Sequence, residues 1–263
     1  MEIGQLQMTL EAVFGGDVTV EVLFDGTPAE MPGVVLPGER AIEAWMRLRR
    51  VVEVIGAWPI VLGPRSAVER HAEALTHRRR SVAEVLAAAA DVDPDPRAWF
   101  ADIVAAERTW HVNNGYSADD AQGFPEVGPW PEEPDENDGF SIPFDIVSMD
   151  PHREVVIALV PTEVPWTIPA HLGMGGWNAC PEAAKHCALW KRWNEEYGAE
   201  PVGVSGDVVE FLVERPPTTR DAALELAWQQ HGYCQDIVDQ GTQTIAGLAG
   251  ALLEGRVWFF WWD

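Results

Sequence analysis

Basic residues are scarce in this 263-residue chain: 18 Lys and Arg stand against 42 Asp and Glu, for a formal net charge of −24. Binding nucleic acid by phosphate neutralisation needs a basic patch. The candidates are Arg47, Arg49, Arg50 and the run His77-Arg78-Arg79-Arg80, which read more simply as solvated helix faces. An acidic surface of this size repels nucleic acid and membranes, and it favours solubility, or a basic protein partner through electrostatic steering. Cysteine is also sparse. Three residues, Cys180, Cys187 and Cys234, are too few for a secreted disulfide framework and fit a reducing compartment. Long apolar runs are missing: no window approaches the roughly 18 residues of a membrane helix. The start, Met1 to Gln5, lacks the basic and apolar segments of a signal peptide, so the expected location is cytoplasmic. Familiar catalytic signatures are absent as well. There is no Gly-x-Ser-x-Gly elbow, no His-Glu-x-x-His and no kinase set, and with no phosphate loop or dinucleotide fingerprint no cofactor is expected.

What the chain does contain is enough apolar material for a folded protein. Its 47% hydrophobic and 23% charged content is that of an ordinary globular protein, and its length suits one large domain or two small ones. Two alternating runs, Leu6 to Phe14 and Val18 to Phe24, joined at Gly15-Gly16-Asp17, predict a β-hairpin. A Pro/Gly stretch from Thr27 to Gly38 leads into a helix from about Arg40 to Val54. Trp58 to Gly63 reads as a short strand, and helices are expected at about 65 to 76, 81 to 90 and 95 to 109. From His111 to Gly139 the chain is acidic and proline-bearing with no Lys or Arg, the composition of a mobile loop or linker that Phe124 and Trp130 can dock in part.

Beyond it, strands are expected at Glu154 to Val160, Pro201 to Val204, Val208 to Glu214 and Val257 to Trp262. Helices are expected at Pro181 to Tyr197, Thr219 to Val238 and Thr242 to Glu254, with Gly198 as a stop and Thr219 and Thr242 as N-caps. The organisation is therefore an N-terminal β-hairpin and helical region (1–110), an acidic linker (111–141) and a C-terminal domain (142–263). The fold class is α+β, or α/β, with a mixed sheet covered by helices.

The chain closes on Trp258-Phe259-Phe260-Trp261-Trp262-Asp263. In a strand, Val257, Phe259 and Trp261 face one side and Trp258, Phe260 and Trp262 the other. Both faces are apolar, which predicts an internal strand or a face that meets a ligand or partner.

Five stretches in order carry a resemblance: Gly175-Gly176-Trp177-Asn178-Ala179-Cys180-Pro181, Trp193 to Glu200, Arg215-Pro216-Pro217, Tyr233-Cys234-Gln235-Asp236 and Trp258 to Asp263. Together they resemble the bacterial domain of unknown function 4253 over roughly residues 154 to 263. Trp58 to Gly63 looks like the region preceding that domain in such proteins. The resemblance implies a domain boundary and no activity.

Candidate site residues follow from their chemistry. The glycine loop ending at Cys180 lets backbone approach a ligand, and a helix N-terminus lowers a thiol's pKa, so Cys180 is a candidate nucleophile. The alternative is a plain turn in which Asn178 or Cys180 caps the helix. His231 and Asp236 are the other catalytic candidates, and Gly175, Gly176, Trp177, Asn178, Tyr233 and Asp263 are the ligand-binding candidates. His231 and Cys234 lie three apart on one helix face. With Cys180 and His186, or Cys187, they supply four soft ligands for zinc, although a core role suits them better and no metal is expected. Asp236 and Asp263 can do acid/base work only if they meet.

Two readings remain. One is a protein-binding or inhibitory module of the toxin-immunity kind, with a basic partner. The other is an enzyme of unrecognised class with a Cys/His/Asp site near Cys180.

Overall fold

The computed structural model describes residues 3–16, 18–121, 123–134 and 139–263. In chain order the first half holds α1 (Ile3–Phe14), β1 (Thr19–Leu23), β2 (Met31–Leu36), α2 (Ala41–Arg49), α3 (Val52–Ile55), β3 (Trp58–Gly63), α4 (Arg65–Thr76), α5 (Val82–Ala89) and α6 (Pro96–Asn113). The second holds β4 (Val155–Val160), α7 (Ile168–Leu172), α8 (Ala183–Tyr197), β5 (Ala199–Val204), β6 (Val208–Val213), α9 (Arg220–Tyr233), a π-helical turn (Ile237–Thr242), α10 (Ile245–Leu252) and β7 (Val257–Trp261).

Uninterrupted apolar runs can form strands only where both faces are covered. β3 and β4 are such runs, and every residue of both is buried. They pair antiparallel in the middle of one mixed sheet of order β1-β2-β4-β3-β5-β6-β7. Every neighbouring pair is antiparallel except β3 and β5, which run parallel with Val61 opposite Gly203. The sheet therefore runs across the acidic stretch, and β3 lies between two strands of the second half.

Alternation along the strands builds two cores. Ile60, Leu62, Val156, Ala158 and Val160 join Trp190, Trp193, Leu226, Trp258, Phe260 and Trp262 under α7, α8, α9 and α10. Val61, Val155, Ile157, Leu159 and Val202 pack on the opposite face with Leu6, Leu10, Trp45 and Leu48 from α1 and α2. The α+β architecture with a mixed, helix-covered sheet is the one expected from the order of elements.

Four local expectations change. Residues 6–14 form a helix rather than a strand. Leu6 and Leu10 are buried one turn apart while Met8 is 66% exposed, so the four-residue spacing prevails over the two-residue alternation. The hairpin lies instead between β1 and β2, and β2 falls within the Pro/Gly stretch.

Next, α9 ends at Tyr233 rather than Val238. The π-helical turn follows, and Thr244 rather than Thr242 caps α10, accepting from Gly247 N–H at 3.0 Å. In addition, His77 to Arg80 lie in the loop after α4, where Arg78 Nη1 donates to His171 O, and not on a helix face.

Finally, β7 is an edge strand rather than an internal one. Its Trp258, Phe260 and Trp262 face is buried against α8 and α9, whereas Phe259 and Trp261 are only partly buried.

The described part of the acidic stretch is docked. Ile245 N–H and Ala246 N–H donate to the carbonyls of Glu126 (3.1 Å) and Val127 (2.7 Å), and Phe124 sets its edge on Phe100. Trp130 stacks under Arg220, 4.7 Å from ring centroid to guanidinium. Acidic Asp135, Glu136 and Asp138 lie outside the described residues.

Candidate functional site

The glycine loop is shaped by close backbone approach. α7 ends at Gly173 in the left-handed conformation, and Gly175 and Gly176 follow at φ 84° and 83°. Gly176 N–H reaches the carbonyls of Cys180 and Pro181, both at 3.1 Å. A β-carbon on Gly175 would stand 1.7 Å from Pro181 O and 2.8 Å from His186 Nε2, so only glycine fits there. α8 begins at Ala183 with Glu182 at the N-cap, so neither Asn178 nor Cys180 caps it. Asn178 adopts φ 45° and donates its Nδ2 to Asp263 O at 2.9 Å, while Asp263 N–H donates to Asp236 Oδ2 at 3.0 Å. Asp236 and Asp263 thus do meet. The contact is backbone to carboxylate, not two acids sharing a proton.

Behind the loop is a buried polar chain from α8 and α9. Trp190 Nε1–H donates to Tyr233 Oη at 2.9 Å. The phenol's own proton therefore goes to His186 Nδ1, 2.7 Å away. That leaves the imidazole hydrogen on Nε2, where it serves the carbonyl of Pro181. Cys180 Sγ lies 3.5 Å from the same nitrogen. An Nε2 that carries hydrogen cannot accept the thiol's proton. Burial lowers His186 to about 3 and pushes the Cys180 thiol well above its ordinary value, with Cys234 adding to the rise. Burial also raises Cys187 and Cys234 to about 12 and lifts Tyr233 well above its ordinary range. The chain is neutral throughout and holds no thiolate–imidazolium pair.

Cys180 and Trp177 line a cleft of about 320 Å³ together with Met174, Gly175 and Trp262 from the second half and Arg70 and His71 from α4. The turn at 205–207 closes its far side, with Arg70 over Gly206. His71 is buried, donates Nε2–H to Val204 O at 3.0 Å and is held below its ordinary pKa by burial. The Nε1 of Trp262 has no hydrogen-bond partner among the described residues. Nothing in the local sequence pattern of Arg70, His71, Trp190 or the 205–207 turn links them to the glycine loop.

The remaining candidates lie apart. His231 is buried with its ring 4.6 Å from that of Phe100, and its Nε2 is 3.8 Å from Asp239 Oδ1. Burial lowers its pKa, against the opposing pull of Asp239. Cys234 caps the end of α9 in extended backbone and donates its thiol to Trp261 O at 2.9 Å. The helix ends between them, so they do not share one helical face as the spacing predicted. Cys180 and His186 are adjacent, but the four residues Cys180, His186, His231 and Cys234 do not converge, and among the described residues no three His, Cys, Asp or Glu side chains form a metal-binding group. Tyr233 is the hub of the buried chain and lines neither the cleft nor the surface.

Among the described residues no helix is long and apolar enough to cross a membrane. No curated protein and no solved structure matches the chain. The arrangement of glycine loop, Tyr233 hub and aromatic strand lies within one matched segment that begins inside β4 and leaves Trp58 to Gly63 outside it: residues 156–263 match the family model described as a domain of unknown function, DUF4253.

Proposed function

We propose that the protein is a protein-binding, inhibitory module of the toxin-immunity kind that holds a basic partner by charge. The observation that carries this reading is the net charge of −24, the excess that remains after 18 Lys and Arg are set against 42 Asp and Glu. Arg47, Arg49, Arg65, Arg97, Lys191, Arg192 and Arg215 are already paired with carboxylates of the same chain. The field left over attracts cationic surfaces and weakens as salt rises. The neutral state of the buried polar chain supports the same reading, because no activated nucleophile competes with it. The test is affinity capture with the full chain at low and at high salt. A specific basic partner released by salt is expected, and the absence of any partner, or one indifferent to salt, overturns the proposal.

A second reading, an enzyme with Cys180 as nucleophile, draws on the placement of that thiol on the cleft beside His186. It requires the imidazole to change tautomer and the thiol to ionise against burial. Rapid alkylation of native Cys180 at neutral pH would favour it over the first.

A further inference from the structure

β7 has a free edge. Trp262 N–H donates to Asp207 O at 3.1 Å and Arg256 O accepts from Val213 N–H at 2.8 Å, so the even-numbered residues exchange backbone bonds with β6. In an antiparallel ladder the intervening residues turn their N–H and C=O groups away from that partner. On β7 these are Val257, Phe259 and Trp261. The Trp261 carbonyl accepts the Cys234 thiol. Among the described residues, the outward N–H groups of Phe259 and Trp261 have no acceptor.

A groove of about 360 Å³ runs beside this edge, walled by the π-helical turn and α10. Gln230 and Trp258 line it and are each 1% exposed, and Gln230 Nε2 and Trp258 Nε1 have no hydrogen-bond partner among the described residues. Buried donors without acceptors are costly, and most folded proteins avoid them. An exposed strand edge is a similar liability that proteins normally cover. Here both meet at one place, and both lack the same thing, an acceptor. An extended peptide supplies carbonyl oxygens along its length. The charge of the groove selects among peptides. Asp236 is the charged side chain in its lining among the described residues, and Asp263 is bonded to it.

We propose that the β7 edge captures an extended, basic segment of a partner protein as an added strand, with its lysine or arginine side chains meeting Asp236 and Asp263. This rests on the protein-binding reading and adds where and how the partner is held. Self-pairing through the same edge would bring together two chains of −24 each, so a basic segment is the occupant that charge favours.

The probe is a capped octapeptide of alternating lysine and valine, with a glutamate–valine counterpart. The lysine peptide is expected to bind, to weaken with salt and to slow hydrogen exchange at the Phe259 and Trp261 amides. Phe259→Pro removes an outward N–H and spares the β6 ladder, as proline does on edge strands. It should weaken binding roughly tenfold or more. Ala251→Trp fills the groove from α10 and serves as the second variant if circular dichroism shows the proline variant unfolded. Equal binding by a folded variant, equal binding of the glutamate peptide, unslowed amides, or a dimer with these amides already protected would each overturn the proposal. If both folded variants still capture a salt-sensitive basic partner, the edge is wrong and the protein-binding reading stands. If the full chain captures none, that reading fails first.

Discussion

Adding one methyl group at Gly175 should cost far more than adding it next door. Gly175 and Gly176 have the same left-handed backbone, φ 84° and 83°. An alanine in that region costs about 1–2 kcal/mol. At Gly176 nothing lies within 4 Å of the added carbon, so that strain is the whole effect. At Gly175 the carbon would sit 1.7 Å from Pro181 O and 2.8 Å from His186 Nε2. The loop must move, and overpacking of this kind adds about 1–3 kcal/mol. The displacement also breaks the hydrogen bond from His186 to Pro181, leaving a buried donor exposed to a further penalty of about 1–3 kcal/mol. Gly175→Ala should therefore lose about 3–8 kcal/mol in urea titrations followed by tryptophan fluorescence, against about 1–2 for Gly176→Ala. The same displacement should open Cys180 to alkylation in the folded protein. Equal losses at the two glycines would refute the reasoning, because the backbone strain they share would then account for both.

Tyr233→Phe removes the oxygen shared by Trp190 Nε1 and His186 Nδ1. Two buried groups lose their partner, and a destabilisation of about 2–4 kcal/mol is expected by urea titration; a loss under about 1 kcal/mol would mean that the chain is dispensable. Iodoacetamide at neutral pH should leave Cys180, Cys187 and Cys234 unmodified in the native protein and label all of them in denaturant, with mass spectrometry as the readout. Glu210 is 1% exposed in β6 and accepts hydrogen bonds from Ser141 and Ile142, but burial dominates and raises its pKa. The folded state then binds the proton more tightly than the unfolded chain. That contribution is complete below the ordinary carboxylate range and is lost as pH rises through the folded value. The stability of the wild type relative to Glu210→Gln should accordingly fall as pH rises above the ordinary carboxylate range; a difference in urea titrations that stays flat or rises with pH counts against it.

The central strands were readable because their signal is local. Continuous apolar runs at Trp58 to Gly63 and Val155 to Val160 leave no face for water, and Gly198 and Thr219 mark helix ends by their own chemistry. The first segment misled because Leu6, Met8 and Leu10 satisfy a strand while Leu6, Leu10 and Phe14 satisfy a helix, and packing against α2 decides. The composition of the acidic stretch announces a loop but not its docking, which depends on Phe124 and Trp130 finding Phe100 and Arg220. In the site, glycines and Cys180 stand out by residue type, and the sequence offers His186 beside Cys180 as a metal ligand. Its actual partner, Tyr233, is 47 residues away in the chain. Side chains from separate elements meet only through the fold, so the cleft's Arg70 and His71 carried no warning in the sequence.

The place of β3 has a consequence for the order in which the chain can assemble. It is made early, yet both of its neighbours, β4 and β5, come from the later half. During synthesis β3 must wait with two unpaired edges until β4 is made, and with one until β5 follows more than half the chain later. Closing the contact between Val61 and Gly203 spans a long loop, and such distant pairings make folding slow. The waiting strand, Trp58-Pro59-Ile60-Val61-Leu62-Gly63, is itself apolar, and exposed strands of that kind invite wrong pairings. Its proline and the charged helices on either side are the chain's own guards during that interval.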